Sequence, residues 1–504
     1  MAALAAAMLA LLFAGAARAD KAYDNDTGLT WTYRVVDGVA EICDYDSESG
    51  LAVEPEPTGA LAIPATLGGY TVTRIGDNAL VSCDNITSVM IPASVKSIGR
   101  AAFWNCWQME SVTMPGVKEI GRSAFQNCRG LSSVTMPDDV TILGEGVFGG
   151  CPSLADETDE FVIINGVLYG RASRMGVFPK NVVIPATVTR IANYAFYGGW
   201  SGVTSVTIPG TVKSIGEAAF CDCNLSEGVV IQDGVQSIGD MAFSRIDAKS
   251  VVIPGSVKSI GETAFDYALY LTSVTLLDGV ETLGTAAFNS YQLKSVAIPP
   301  SVKTVKSSGI YAGVKTIYVA AGDTDRVREM LPLPDVQLDQ IDFVEPSGAY
   351  AVTLDANGGI CGAPSVMVKK NAAVGDLPVP IRVGYTFDGW YTAKSGGTKT
   401  DETTTVSGSV TYYAHWTPQS YTLWLDPNGG DVTPNEKTVT YGSAYGTLPD
   451  ATHWDADLAF DGWYTAAEGG TKVTAATTVG IVKDHYLYAH WRDVSAMTHK
   501  VTFG

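Results

Sequence analysis

The chain has 504 residues, more than one compact hydrophobic core usually organises, so several domains or a repeat array are expected. Hydrophobic residues make up 46% and charged residues only 17%, while 53 glycines and 23 prolines supply frequent turns, a composition that favours β structure over helical bundles. The formal net charge of −20 repels phosphate groups and anionic lipid headgroups, which argues against nucleic-acid binding and peripheral membrane docking.

Residues 1–19 predict an export signal. An apolar run rich in Ala and Leu ends in Ala17-Arg18-Ala19 before the polar Asp20-Lys21, which is typical of a signal peptide cleaved after Ala19, although no Lys or Arg precedes the run. No later stretch approaches the roughly 18 consecutive apolar residues of a membrane-spanning helix. We therefore expect a secreted or cell-envelope protein with no transmembrane segment after cleavage.

A short motif recurs along the chain after a divergent stretch, residues 20–60, which is expected to cap the first repeat. Ser-Val-Thr-Ile-Pro is followed by Val-Lys-Ser-Ile-Gly and then by Ala-Phe, with a step of 22 to 24 residues. The phenylalanines of the Ala-Phe pairs lie at Phe103, Phe125, Phe148, Phe196, Phe220, Phe243, Phe265 and Phe288. One step of 48 residues equals two periods, and Asn165-Gly166 inside it predicts a two-residue hairpin turn.

An isolated unit of this length cannot bury its apolar side, but stacked units can. Each unit contains two short extended segments, such as Ser205-Val-Thr-Ile208 and Val212-Lys-Ser-Ile215, and strand alternation predicts that Val206 and Ile208 point inward and Thr207 outward. The sequence thus predicts a mainly β solenoid over residues 61–320. These landmarks resemble the BspA-type leucine-rich repeat, a bacterial surface family, and the resemblance implies a leucine-rich-repeat solenoid of about ten to eleven turns.

A longer repeat follows residues 321–347, which are expected to form a linker. Three landmarks occur twice in the same order: Asp355-Ala-Asn-Gly-Gly359 with Asp426-Pro-Asn-Gly-Gly430, Phe387-Asp-Gly-Trp-Tyr391 with Phe460-Asp-Gly-Trp-Tyr464, and Tyr413-Ala-His-Trp416 with Tyr488-Ala-His-Trp491. They resemble the internalin B-repeat, or Listeria-Bacteroides repeat. The resemblance implies two tandem β-grasp-like modules over residues 348–418 and 419–492, and residues 493–504 are expected to begin a truncated third copy or a tail.

Residue types that can catalyse reactions or bind metals recur at equivalent positions of the repeats. His415 and His490 occupy the same position before a tryptophan in each module, which favours a structural role over a shared metal site. Four cysteines recur once per turn, at Cys83, Cys106, Cys128 and Cys151. They are interpreted as buried thiols filling one core position, with disulfides between successive turns as the alternative. We expect neither enzymatic activity nor a cofactor, although a carbohydrate-active solenoid stays open because it needs only two carboxylates.

Two sets of side chains are candidate partner-binding residues. Aromatic residues follow the Ala-Phe landmark in the connecting loops, where Tyr and Trp often anchor interfaces, although some of them would instead cover the core. These are Trp104, Trp107, Tyr197, Trp200, Tyr267, Tyr270 and Tyr291. Lysines at the outward position of the second segment predict a broken basic stripe. Two interpretations stay open: the stripe contacts an anionic partner, or its lysines are solvated and protect the edge of a sheet. It consists of Lys96, Lys118, Lys213, Lys258 and Lys303.

The favoured hypothesis is a bacterial surface protein that recognises an extracellular protein or polysaccharide through the face of its solenoid. The alternatives are a passive structural component of the cell envelope and, less favoured, a carbohydrate-active enzyme.

Overall fold

A computed structural model describes residues 19–43, 51–137, 140, 142–155, 161–171, 180–198, 202–310 and 313–494. The apolar run of the predicted signal peptide, Trp200 and the predicted third copy from residue 495 onward lie outside the described residues.

Antiparallel strands precede the repeats. They are β1 (Asp20–Asp24), β2 (Leu29–Val36), β3 (Val39–Ile42) and β4 (Val53–Glu54). Strand β2 pairs with β1, β3 and β4, and Trp31 at its centre is fully buried. Strand β3 pairs in parallel with the first turn of the repeat array, so this antiparallel unit continues a solenoid sheet and covers its end.

The first block of turns alternates strands between two parallel sheets. Its strands are β5 (Gly59–Ala62), β6 (Thr66–Leu67), β7 (Tyr70–Ile75), β8 (Ile86–Met90), β9 (Ser97–Ile98), β10 (Ser111–Thr113), β11 (Glu119–Ile120), β12 (Ser133–Thr135) and β13 (Ile142–Leu143). One sheet, of order β12-β10-β8-β5, holds the first extended segment of each turn; the other continues β3 through β7, β9, β11 and β13. We call them the first-segment and second-segment sheets.

The second block repeats this arrangement. Its strands are β14 (Phe161–Ile164), β15 (Val167–Arg171), β16 (Asn181–Val183), β17 (Arg190–Ile191), β18 (Ser205–Ile208), β19 (Ser214–Ile215), β20 (Gly228–Ile231), β21 (Ser237–Ile238), β22 (Ser250–Ile253), β23 (Ser259–Ile260), β24 (Ser273–Leu276), β25 (Thr282–Leu283), β26 (Ser295–Ala297), β27 (Thr304–Val305) and β28 (Thr316–Tyr318). Its first-segment strands are divided between two sheets, one of β16, β18 and β20 and one that runs from β22 to β28. The two blocks form a β-solenoid of about 11 turns.

The double period between Phe148 and Phe196 contains the predicted hairpin. Strands β14 and β15 pair antiparallel, and Asn165 and Gly166 between them have φ angles of 51° and 72°. Two positive φ values are the signature of a type I′ turn, which explains the Asn-Gly pair and confirms the prediction.

Phenylalanine rings form a continuous column inside the second block. From Phe196 to Phe288 each ring stacks on the next, with centroids 5.0 to 5.2 Å apart. Phe220, Phe243 and Phe265 are completely buried. The predicted stacking of repeat units around aligned phenyl groups is therefore confirmed, since the ring spacing follows the distance between neighbouring turns.

The predicted linker forms a second cap. Residues 321–347 contain α1 (Thr324–Met330), α2 (Asp335–Leu338) and β29 (Asp342–Val344), and β29 pairs in parallel with β28 as one more strand of the first-segment sheet. Arg326 donates hydrogen bonds to Asp323 and to the carbonyl of Val302, each 2.6 Å long. The residues expected to form a linker thus contain two helices and a strand that covers the open end of the last turn.

Two similar mixed sheets follow. Module 1 has β30 (Ala349–Asp355), β31 (Ser365–Lys369), β32 (Tyr385–Tyr391) and β33 (Val410–Pro418); module 2 has β34 (Ser420–Asp426), β35 (Glu436–Thr440), β36 (Leu458–Tyr464), β37 (Lys472–Val473) and β38 (His485–Asp493). In each module the first and last long strands form a parallel central pair flanked by antiparallel neighbours. The expected tandem β modules are confirmed.

Module 1 lies against the solenoid, and this contact corrects one predicted orientation. Val206 and Ile208 are fully buried in the core as predicted, but Thr207, predicted to point into solvent, is only 1% exposed. Module 1 contacts the neighbouring strands of the same sheet, for instance through Asn181 Nδ2, which donates to Tyr385 O at 2.8 Å. The outward face of β18 is buried because a second domain covers it.

Candidate interaction surface

The candidate aromatic residues differ in exposure. Trp104 and Tyr197 are half-buried, whereas Trp107 is 49% exposed and its ring lies 5.4 Å from the guanidinium carbon of Arg129. Trp107 therefore has an intramolecular cation–π contact.

Large exposed apolar side chains lie on the loops of three successive turns in the second block. Tyr267, Tyr270 and Tyr291 are 46% to 57% exposed, and the rings of Tyr267 and Tyr291 have centroids 6.3 Å apart. Met241 and Leu269, which the sequence analysis did not single out, are also large exposed apolar side chains on these loops. We call these five residues the loop-aromatic edge. Met241 and Leu269 were missed because only aromatic residues were sought.

A buried carboxylate positions part of this edge. Asp266 follows the column residue Phe265 and accepts hydrogen bonds from the Tyr267 backbone N–H at 3.0 Å and from Asn289 Nδ2 at 3.1 Å. Its burial raises the pKa of the Asp266 carboxyl, and the two hydrogen bonds oppose that effect. Tyr267, whose φ is 53°, is thereby fixed in a left-handed turn on a rigid column.

The candidate lysines lie on the second-segment face. Lys213, Lys258 and Lys303 are exposed, yet Gln236 and Glu281 occupy the intervening turns of the same row. Lys303 Nζ lies 2.7 Å from Glu281, which lowers the pKa of that carboxyl through a hydrogen bond and charge attraction.

Backbone carbonyls also accept hydrogen bonds from these lysines. Lys213 Nζ donates to Gly210 O at 3.0 Å, and Lys96 Nζ donates to Ala93 O at 2.7 Å. Lys258 Nζ bonds to Gly279 O in the next turn, while Lys118 is half-buried. The row is thus an interrupted set of cations that contact their own solenoid rather than a continuous basic stripe.

The paired histidines have the same structural role in both modules. In module 1, His415 Nε2 lies 2.9 Å from Ala393 O, and the imidazole stacks on Tyr391 with centroids 3.9 Å apart. His490 repeats both distances in module 2. These contacts confirm the interpretation of His415 and His490 as repeat-structural residues.

Another histidine distinguishes the two modules. His485 Nε2 lies 2.8 Å from the Tyr445 hydroxyl and His485 Nδ1 lies 2.9 Å from Lys483 O, so a neutral ring satisfies both contacts by donating from Nδ1 and accepting at Nε2. Burial lowers the pKa of His485 below its ordinary value of 6.5. Module 1 has Val374 and Val410 at the equivalent positions, which lie at matching points of the strand pairing.

We expect module 2 to lose stability as the pH falls below about 6.5. A histidine whose pKa is lowered by folding contributes stability that is complete above its unfolded pKa and is lost at lower pH, with a slope of at most about 1.4 kcal/mol per pH unit for one proton. Hydrogen exchange of the β38 amides in the full chain at pH 7.5 and 5.5, corrected for the intrinsic pH dependence of exchange, measures the effect. The double variant Y445V/H485V, which reproduces module 1, should remove it; persistence of the same slope in that variant would assign it to another group.

The eight cysteines are free thiols. Cys83, Cys106, Cys128 and Cys151 are completely buried, and Cys128 Sγ donates to Phe103 O in the preceding turn at 3.2 Å. Burial raises the pKa of Cys83 and of Cys128. The structure thus has the ladder of buried thiols that the sequence analysis favoured over disulfides, and these protonated groups are poor nucleophiles.

Neither a metal centre nor a membrane span is visible in the described part of the chain. No group of three or more His, Cys, Asp or Glu side chains there could bind a metal ion. Among the same residues no helix combines the length and apolarity needed to cross a bilayer.

Comparison with known proteins identifies both repeat types. Residues 68–158, 179–227 and 189–315 match the BspA type leucine rich repeat region, in six copies. Residues 350–415 and 421–490 match the Listeria-Bacteroides repeat domain.

Curated relatives match only a part of the chain. Internalin H of Listeria monocytogenes is 40% identical over 131 residues, which make up 26% of this chain and 22% of the relative. A putative Gly-rich membrane protein of Evansella cellulosilytica is 31% identical over 143 residues, 28% of this chain and 16% of that protein. The chain thus spans less than a quarter of the length of these relatives.

Solved leucine-rich-repeat structures are similar over larger parts of the chain. The pneumococcal vaccine antigen PcpA is 18% identical with a TM-score of 0.34, covering 65% of this chain and 98% of that one. A leucine-rich repeat protein from Bacteroides ovatus is 21% identical with a TM-score of 0.24, covering 62% and 98%.

Proposed function

Since the chain is a BspA-type leucine-rich-repeat protein with two Listeria-Bacteroides repeat domains, we propose that it is a secreted or cell-surface protein that binds an extracellular protein partner. The loop-aromatic edge is the proposed contact surface. The observation that carries the proposal is the exposure of Tyr267, Tyr270 and Tyr291 on neighbouring turns of a rigid column.

The composition of this edge fits a protein interface. Tyrosine supplies a large contact area with little loss of side-chain entropy, and Met adapts its shape to a partner. The hydrogen bonds of Asp266 hold the Tyr267 backbone in place before any partner binds, which reduces the entropic cost of association. Met241 and Leu269 add aliphatic surface that a protein partner can bury.

The lysine row is a weaker candidate for the contact surface. Lys213 and Lys96 already donate to carbonyls, and Lys303 already pairs with Glu281, so an anionic partner would have to compete with these contacts. Substitutions in the lysine row therefore serve as the control for substitutions in the loop-aromatic edge.

The triple variant Y267A/Y270A/Y291A should lose partner binding, because truncating each central interface tyrosine costs on the order of 1–2 kcal/mol and three together reduce affinity by at least about 100-fold. Binding is measured with the purified chain on arrays of extracellular proteins and polysaccharides, followed by titration of any captured partner. The matched triple variant K213A/K258A/K303A should bind like the parent chain.

Three results would contradict the proposal. Binding that depends on the lysines and not on the tyrosines would move the site to the second-segment face. Absence of binding to every protein and polysaccharide on the arrays would favour a passive envelope component. Cleavage of an arrayed polysaccharide would favour the carbohydrate-active alternative.

A further inference from the structure

Module 1 covers part of the outward face of the first-segment strands in the second block, above all over β18, β20 and β22, where Thr207, Val230 and Val252 are buried, and polar contacts hold it there. Thr272 Oγ1 donates to Asp376 Oδ2 at 2.7 Å, and Ser250 Oγ donates to Leu377 O at 3.3 Å. At the end of the solenoid, Lys369 pairs with Asp342. The contacts reach from Asn181 on β16 to Asp342 on β29, and between them a cavity separates Thr275 and Ala297 of the solenoid from Met367 and Val374 of module 1.

Module 1 differs from module 2 at three positions of this contact. Gly362, Asp376 and Val379 align with Thr433, Thr447 and Asp450, respectively. The alignment is fixed by the shared Asn-Gly-Gly turn before these positions and by an equivalent hydrogen bond, from Trp390 to Pro378 O in module 1 and from Trp463 to Pro449 O in module 2. The internal packing of the module does not require the module 1 residues at these positions, because module 2 has the same order of four long strands without them.

Each of the three residues has a specific partner on the solenoid. Asp376 accepts the bond from Thr272, and its other carboxylate oxygen lies 4.0 Å from Lys249 Nζ. A Cβ added to Gly362 would lie 3.0 Å from Val252 Cβ, so a threonine side chain there would meet the sheet.

Val379 packs against Gly228, where an added Cβ would lie 3.4 Å from Val379 Cβ. An aspartate in place of Val379 would bring a carboxylate against an apolar stretch of strand, since the outward Val230 next to it is only 1% exposed.

The solenoid departs from its own repeat at the same places. Gly228 replaces the serine that begins β18, β22 and β24. The outward residues Thr207, Val230 and Val252 are buried, whereas the equivalent Met90 and Thr113 of the uncovered first block are exposed. Gly228 of the solenoid and Val379 of module 1 thus deviate from their own repeats where they contact each other.

From these paired deviations we infer that the covered face is a module-selective docking surface. It takes a Listeria-Bacteroides repeat module that carries Gly, Asp and Val at positions 362, 376 and 379, and it rejects one that carries the Thr, Thr and Asp of module 2. Module 1 is therefore a fixed part of the solenoid that closes the face of β18, β20 and β22 to other partners, and module 2 remains available. The inference stands independently of the partner proposed for the loop-aromatic edge.

Accessibility of a thiol placed under module 1 tests the inference in the full chain. T207C introduces a thiol beneath the module and T113C introduces one at the equivalent outward position of the uncovered block. Alkylation is followed by mass spectrometry of peptides, which separates the introduced thiol from the native ones. We expect the T207C thiol to react at least about 10-fold more slowly than the T113C thiol, because it is shielded by a docked module.

Replacing contact residues of module 1 by those of module 2 should release module 1 from the solenoid. In T207C/D376T/V379D the introduced thiol should become at least about 10-fold more reactive, because a charge-assisted contact is lost and a carboxylate is buried unpaired. The reverse exchange in module 2, T207C/T447D/D450V, is the matched control and should leave the thiol protected. T207C/V252R changes an outward residue of the solenoid and leaves the core unchanged, and it should also release module 1. This second variant does not alter module 1, so its result does not depend on how the module 1 loop with D376T and V379D folds.

The inference is overturned if the T207C thiol reacts as fast as the T113C thiol in the parent background, because the face would then be open. It is also overturned if protection survives both D376T/V379D and V252R, or if the module 2 exchange releases the thiol as strongly as the module 1 exchange.

Discussion

Replacing Phe243 by Ala should destabilise the solenoid by about 3–5 kcal/mol, the usual cost of removing a buried phenyl ring. Phe243 is completely buried, and its centroid lies 5.1 Å from those of both Phe220 and Phe265. The cavity would lie between two turns whose other contacts cannot close it without moving backbone strands. In a solenoid, stability depends on such nearest-neighbour interfaces, so the loss should spread to the adjacent turns.

Urea unfolding of the full chain, followed by circular dichroism and by amide exchange of β19–β25, measures this loss. Tyr270→Ala is the control, because it removes an aromatic ring that is 57% exposed and leaves the column intact. If the two variants lose the same stability, the phenyl column does not carry the cohesion of the turns. The conservative Phe243→Leu should show an intermediate loss, since it fills part of the cavity.

Gly239→Ala should also be strongly destabilising, although it adds only a methyl group. A Cβ at Gly239 would lie 2.8 Å from Gly216 C and 2.9 Å from Glu217 N, both backbone atoms of the preceding turn. Backbone cannot rotate away as a side chain can, so the two turns must separate. We expect a loss at or above the usual 1–3 kcal/mol of overpacking.

The same close approach recurs at the glycine that ends the second segment of other turns. A Cβ there would lie 2.1 to 2.7 Å from backbone of the preceding turn at Gly99, Gly121, Gly144, Gly216, Gly261 and Gly284. The Ile-Gly landmark is therefore a requirement for tight stacking of turns. Differential scanning calorimetry of Gly239→Ala against Gly480→Ala, where no atom lies within 4 Å of the added Cβ, isolates this effect. Equal transition temperatures for the two variants would show that the turns tolerate separation.

Features set by contacts within a turn or between adjacent turns could be predicted from the sequence. The Phe period predicted the stacked column, and Asn165-Gly166 predicted the hairpin because a type I′ turn needs two positive φ angles. The equal positions of His415 and His490 predicted equal contacts in the two modules. In each case repetition of a short local pattern supplied the information.

The candidate surface was predicted only in part. Tyr267, Tyr270 and Tyr291 were identified as loop residues, but their grouping with Met241 and Leu269 depends on how far each side chain projects from its own turn. The lysines also lie in the predicted row, and the sequence could not show that their ammonium groups donate to neighbouring carbonyls, because those partners come from turn geometry.

The sequence by itself determined the solenoid, its phenyl column and the two modules, because each rests on a pattern repeated many times along the chain. Only the tertiary structure decided that Thr207 is buried and that residues 321–347 cap the last turn. Both depend on contacts between segments far apart in the chain. At the contact between module 1 and the solenoid, single departures from a repeat, such as Gly228 and Asp376, determine which module docks. The sequence alone does not show their role, because their partners come from distant parts of the chain.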